Sequence, residues 1–277
     1  MQSKKYKITL WIFSLLILQV CSFSSLKWTL IGAELALTEE FPAAAHLCFR
    51  RSSLGKIKCF CGGTLISRRA VLTAAHCFYS DVGVVNVVQF GETFFDGVKG
   101  SPDPLNFEVL ETKKHPNFRY PVLYNDIGIV KLRRSVIYTP YIYPACLPYN
   151  NGDAYNSFTA VGWGQTDVGR LDQSRKLRKV ELHNFKNRCR NTIDPNDELP
   201  EGYRNKSQLC VGSTKHKDTC NGDSGGPLLI SYYGKNCRYQ VMGIISLGLS
   251  CDTPNIPSIF TRVHFYRHWI KKEMGKV

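Results

Sequence analysis

Beyond its first 22 residues this chain has no apolar run long enough to cross a bilayer as a helix, which argues against a bundle of membrane-spanning helices. Its 11 cysteines contain no C-x-x-C pair, so a zinc site with the usual ligand spacing is a weak reading. No internal repeat and no low-complexity tract interrupts it, so neither a repeat array nor a disordered chain is indicated. Acidic residues are scarce, 22 against 36 Lys and Arg, for a formal net charge of +14. Setting aside Lys4, Lys5 and Lys7 takes +14 to +11. The remaining cations are spread over many short clusters, which reads as solvated loop faces ahead of a site for a polyanion or an anionic surface.

What is present begins with a leader. Lys4, Lys5 and Lys7 precede the apolar stretch 8–20, and small or polar residues follow at 21–25. That layout is a secretory signal peptide, with cleavage expected after Ser22; a signal anchor is the competing reading. Removing Cys21 with the leader leaves an even cysteine count, which in an exported chain suggests five disulfides. Nucleic acid is not an expected partner of such a chain. With 277 residues, 43% of them hydrophobic, the protein can bury a substantial core in one large domain or two smaller ones.

Short apolar, β-branched segments recur at 63–66, 84–90, 127–132, 159–162, 228–231, 241–246 and 259–263, punctuated by Gly, Pro, Asn and Asp. This predicts an all-β protein. Over 264–274, Phe265, Tyr266, Trp269, Ile270 and Met274 recur at i, i+4 spacing between charged residues, which predicts an amphipathic C-terminal helix ended by Gly275.

Three segments carry chemistry. Gly222-Asp223-Ser224-Gly225-Gly226-Pro227 sets a serine in a glycine-rich turn, where a substrate backbone can approach and neighbouring N–H groups can converge on one point. A serine hydroxyl is a poor nucleophile until a neutral imidazole takes its proton, and the imidazole needs a buried carboxylate to fix its tautomer. Thr73-Ala74-Ala75-His76-Cys77 offers the imidazole, and Asn125-Asp126-Ile127-Gly128 offers the carboxylate at the head of an apolar strand. Any one segment alone is an ordinary turn or loop; all three occur, in the order His76, Asp126, Ser224.

At these residues the chain resembles the chymotrypsin/trypsin-like serine proteases. The resemblance continues through Cys61-Gly62-Gly63-Thr64-Leu65-Ile66-Ser67, Gly162-Trp163-Gly164 and Phe260-Thr261-Arg262-Val263, and it covers nearly everything from Leu30 onward. It implies two antiparallel six-stranded β-barrels followed by a C-terminal α-helix. His76, Asp126 and Ser224 would act as base, orienting carboxylate and nucleophile, with the N–H groups of Gly222 and Ser224 as oxyanion hole. Among substrate-cleft residues it implies Asp218 as the floor of the P1 pocket, Ser246 supporting Asp126, and Gly248 and Ser258 on the pocket walls. A carboxylate in a poorly solvated pocket selects a cationic P1 side chain, so cleavage after Arg or Lys follows. Ser258 stands where such members usually carry glycine, and Leu247 where tryptophan is usual. Both departures bear on substrate entry.

The same resemblance implies disulfides Cys61 with Cys77, Cys189 with Cys210, and Cys220 with Cys251. Cys48, Cys59, Cys146 and Cys237 are then left. Cys48 with Cys59 and Cys146 with Cys237 is one partition of them, and connectivity does not follow from sequence alone. Family members are zymogens whose freed N-terminus pairs with the aspartate before the nucleophile, here Leu30 with Asp223. The cut would fall after Thr29, making 23–29 a short propeptide and 30–277 the protease domain. Thr29 is not the Arg or Lys most members present there, so trypsin-type activation is not expected.

Asn205-Lys206-Ser207 is an N-glycosylation acceptor. Glu92 lies near where some members bind calcium, but no second carboxylate is clearly in register, so no metal and no cofactor are predicted. Expected partners are protein or peptide substrates, an activating protease and a serpin-type inhibitor. Phe41-Pro42-Ala43-Ala44 and 251–257 look more like arthropod cascade proteases than digestive trypsins. The alternative is a secreted homologue of low or no activity that serves as a binding or regulatory protein.

Overall fold

The computed structural model describes residues 33–52, 55–91, 104–164, 174, 176–215, 219, 222–234, 236–248 and 253–275. The leader and its boundaries, Leu30, Glu92, Asp218, Cys220 and Cys251 lie outside them, and with them the pocket floor, the new N-terminus and the fifth disulfide.

A short β1 (Glu34–Leu35) precedes the first barrel. Its strands are β2 (Ala44–Arg50), β3 (Ile57–Ser67), β4 (Ala70–Thr73), β5 (Val87–Phe90), β6 (Leu105–Lys114) and β7 (Gly128–Leu132). They close in the order β2-β3-β4-β7-β6-β5, every pairing antiparallel. The second set is β8 (Ser157–Gly162), β9 (Arg178–Asn184), β10 (Gln208–Gly212), β11 (Pro227–Gly234), β12 (Cys237–Leu247) and β13 (Ser258–Arg262). It runs β9-β10-β13-β12-β11-β8, and β8 pairs back onto β9, so the second barrel closes as well, with β1 added on its outside. Closure removes the sheet edges that would otherwise recruit another chain.

The strands form where the sequence can bury alternate side chains. On β11 the neighbours Leu228 and Leu229 point to opposite faces, the first into the second barrel's core and the second into the cluster shared with the first barrel. β12 does the same, with Met242 and Ile245 in one cluster and Val241 and Ile244 in the other. These two strands therefore serve both cores and fix how the barrels sit against each other. β7 is buried along its whole length, including Lys131, whose ammonium meets Glu111 at 3.0 Å at the barrel surface.

The C-terminal segment differs from the expected single helix. Residues Val263–Tyr266 form a 3-10 turn, and the α-helix, α2, is confined to Arg267–Met274; α1 is the short Cys189–Thr192. The tighter first turn keeps Val263 and Tyr266 in the core before the helix aims Ile270 at the same cluster. Among the described residues no helix is long and apolar enough to cross a membrane.

Among the described residues there are four disulfides: Cys48–Cys59, Cys61–Cys77, Cys146–Cys237 and Cys189–Cys210. The partition of the four leftover cysteines is the one written above. Cys48 and Cys59 face each other across β2 and β3, whereas Cys146 ties the connection between the barrels to the start of β12.

Candidate active site

The site forms where the end of β4 meets the start of β7 and the turn before β11. Thr73 ends β4, and the fully buried Ala74 and Ala75 let the chain turn tightly into a 3-10 helix, Ala75–Tyr79, that carries His76 and Cys77. Gly128 opposite has no side chain because a Cβ there would lie 2.5 Å from the Phe78 ring. The Cys61–Cys77 bond fastens the helix to β3.

Asp126 is wholly buried and is met by three donors. The His76 backbone N–H gives a 2.9 Å bond to Oδ1, the His76 ring lies 2.7 Å from Oδ2 through Nδ1, and the Ser246 hydroxyl donates to Oδ2 at 2.5 Å. Thr261 Oγ1 holds the Asp126 carbonyl at 2.7 Å. A buried carboxylate is tolerable only when so satisfied. Its acceptor places the ring proton on Nδ1 and leaves Nε2 with a lone pair. The preceding Asn125 adopts φ +57°, and its side chain bonds the Asn117 carbonyl and accepts from the Tyr266 hydroxyl, which holds the turn that aims Asp126 inward.

His76 retains 19% side-chain exposure. Burial disfavours its charged form, but the charge and hydrogen bond of Asp126, with a smaller pull from Glu198, outweigh that and raise its pKa above the ordinary 6.5.

Ser224 lies between two glycines with positive φ, Gly222 at +96° and Gly225 at +80°. The turn is bonded to both barrels. The Gly62 N–H on β3 donates to the Ser224 carbonyl at 2.8 Å, and the Gly225 N–H donates to the Ile245 carbonyl on β12 at 2.8 Å. A Cβ at Gly225 would lie 2.3 Å from Thr73 Oγ1, so only glycine lets the turn press against β4. Sγ of Cys77 is 3.6 Å from the Ser224 carbonyl oxygen, so the segments of His76 and Ser224 are neighbours.

Asp223 is buried, and its Oδ1 accepts from the Gly164 N–H at 2.7 Å. Cβ atoms at Gly162 or Gly164 would overlap its carboxylate at 2.1 and 2.4 Å, which accounts for the glycines flanking Trp163. Ser258 opens β13 in register with Val211 and is 1% exposed. Gly248 lies in open space, with nothing within 4 Å of a Cβ placed there. Leu247 is half-buried against the apolar cluster that contains Leu123, Tyr124 and Ile259. Asn205 is exposed in the turn before β10.

Sequence reasoning missed Thr261, Asn125 and the stacked rings of Tyr79 and Tyr120, whose centroids lie 4.9 Å apart on the surface beside the His76 helix. Tyr79 follows the histidine motif by three residues, but nothing in the sequence spacing pairs it with Tyr120. Cys61, His76 and Cys77 cluster closely enough to suggest metal ligands, but both sulfurs are committed to the disulfide.

The family model described as trypsin matches residues 30–270. Phenoloxidase-activating factor 1 of Holotrichia diomphalia is 34% identical over 269 residues, spanning 91% of this chain and 71% of its own length. CLIP domain-containing serine protease B4 of Anopheles gambiae is 32% identical over 262 residues, 87% of this chain and 69% of its own length. Proclotting enzyme of Tachypleus tridentatus is 29% identical over 269 residues, 92% of this chain and 69% of its own length.

Proposed function

Since this chain belongs to the trypsin family of serine endopeptidases, with arthropod cascade proteases among its relatives, we propose that it is a secreted endopeptidase cutting protein substrates after Arg or Lys in a limited-proteolysis cascade. The observation that carries this reading is the buried Asp126 gripping both the backbone and the ring of His76. A carboxylate so held has no role in a merely structural fold that a leucine would not fill better. Ser224 attacks the scissile carbonyl as Nε2 of neutral His76 takes its proton. Asp126 stabilises the resulting imidazolium, and the N–H groups of Gly222 and Ser224 bind the oxyanion. The imidazolium then gives that proton to the leaving amine as the peptide C–N bond breaks, which leaves the acyl-enzyme; His76 next takes a proton from water as it attacks the ester and passes it to Ser224 Oγ as the new carboxyl group departs.

In this reading residues 1–22 are the leader, 23–29 a propeptide and 30–277 the protease domain. The family match begins at Leu30, in keeping with that division. A protease of unlike specificity cuts after Thr29, and the freed Leu30 pairs with Asp223. Asp218 supplies the pocket charge, Asn205 carries a glycan, and a serpin-type inhibitor limits the enzyme.

One observation favours a homologue of low activity: Ser258 puts a buried hydroxymethyl group at the expected pocket wall. The test is a panel of fluorogenic peptides differing only at P1, applied before and after forced cleavage at Thr29-Leu30. Turnover of Arg and Lys substrates only after cleavage supports the enzyme. Silence from a correctly cut, folded protein moves the reading to the binding protein.

A further inference from the structure

On the first barrel, away from the catalytic turn, the ends of β2, β6 and β7 surround an open cleft of about 650 Å³. Arg50, Arg133 and Arg134 line it, with Glu108 as the single carboxylate among the described lining residues. Arg134 is held in place: its guanidinium lies 4.7 Å above the Phe107 ring, and Nη2 donates to the Asn106 carbonyl at 3.1 Å. Arg69 adds a further guanidinium alongside, bonded to the Leu132 and Arg133 carbonyls at 3.1 and 3.4 Å. Glu108 meets Arg133 at 3.3 Å with both side chains more than half exposed, a pairing that neutralises little. These arginines are separated in sequence by up to 84 positions. Folding gathers into one cationic surface what reads in the sequence as scattered solvated clusters.

The geometry points to a binding site for a sulfated polysaccharide. Guanidinium forks match sulfate and carboxylate oxygens, and arginine is less strongly hydrated than lysine, so such contacts survive desolvation. An acidic protein partner is the other polyanion to weigh, but a protein interface needs an apolar anchor filling a pocket at its centre. Among the described residues the cleft has none to offer: Val87 and Phe107 beneath it are 1% and 5% exposed, and Arg134 covers the Phe107 ring. Recognition here is left to charge and hydrogen bonding, which a repeating sulfated sugar supplies along its whole length. A bound chain would hold the protein on extracellular matrix, a consequence that rests on the secretion proposed above; the binding itself needs neither secretion nor catalysis.

The test uses the full folded chain with heparin as probe. Binding at about 150 mM salt should weaken steeply as salt rises. The triple variant Arg50→Ala, Arg133→Ala, Arg134→Ala should lose at least about tenfold in affinity and show a shallower salt slope. A control with the same charge change elsewhere, Arg190→Ala, Lys271→Ala, Lys272→Ala, should bind within about twofold of wild type. Ser224→Ala should bind heparin unchanged, which separates this proposal from the catalytic one. Should the triple variant fold poorly, arginine modification of the wild-type protein with and without heparin, read by mass spectrometry, must show protection at Arg50, Arg133 and Arg134. Equal losses in triple variant and control, no protection at these arginines, or poly-glutamate binding as tightly as heparin of equal charge would each overturn the proposal, the last in favour of an acidic peptide.

Discussion

At the scale of single residues, the proposed chemistry depends on Asp126 more than on any other buried group, because three donors converge on a carboxylate without access to water. Asp126→Asn keeps the volume but presents an amide that can force the opposite imidazole tautomer. Turnover by the cleaved enzyme should fall about 10⁴-fold with the fold intact, read as kcat beside an unchanged circular dichroism spectrum. A loss below about tenfold would remove Asp126 from the mechanism. In the proposed mechanism His76 acts as a neutral base, and because its pKa is raised, the acid limb of kcat/KM should have its midpoint above 6.5. Glu198→Gln should lower that midpoint, since the lost negative charge helped the imidazolium; a midpoint unmoved or raised contradicts this electrostatic account. The proposed triad of His76, Asp126 and Ser224 stands out in the sequence because each sits in a distinctive local motif. Thr261 was not: a threonine in an apolar strand carries no sign that its hydroxyl caps a carbonyl 135 positions away. The pocket's charge was read at Asp218, which lies outside the described residues.

Among elements, the predicted segments fall on β3, β5, β7, β8, β11, β12 and β13, while β2, β4 and β10 were missed although buried, and β6 was missed on the solvent face. β7 matches its predicted segment closely and β12 contains its own but begins four residues earlier, whereas β6, LNFEVLETKK, has mostly exposed side chains and too little hydrophobic contrast to stand out. What defines β6 is its partners, β5 and β7, and no single sequence records them. The disulfides show the same division between local and distant. Cys48 and Cys59 are 11 residues apart and already face each other across a hairpin, while Cys146 and Cys237 close a loop of 91. Loop-closure entropy then makes the longer link worth about 2 kcal/mol more. Urea unfolding of Cys48→Ala, Cys59→Ala should show the smaller destabilisation, and Cys146→Ala, Cys237→Ala the larger. The reverse order would mean that the hairpin bond supports the native barrel directly instead of restricting the unfolded chain.

For the whole molecule, resemblance conveyed two barrels, but the contacts between them had no sequence signal. One such contact joins β2 to the segment after β8: the His46 ring stacks on Trp163 with centroids 4.6 Å apart and planes 11° apart. Trp163 in turn sits between the two glycines that receive Asp223. Burial lowers the His46 pKa from 6.5 to about 3. Between those values the unfolded chain binds a proton that the folded one refuses, so stability falls as pH falls, by up to about 1.4 kcal/mol per unit. His76 acts with the opposite sign: its raised pKa contributes stability that is complete below 6.5 and lost above its folded value, so it does not cause an acid loss. His115, lowered by its own burial, adds to the effect of His46. His46→Phe preserves a ring against Trp163 while removing the titration. Its unfolding free energy, measured by urea from pH 6.5 down to about 4.5, should decline less steeply than that of wild type, and parallel slopes would show that the interface between the barrels is not what makes this protein acid-sensitive.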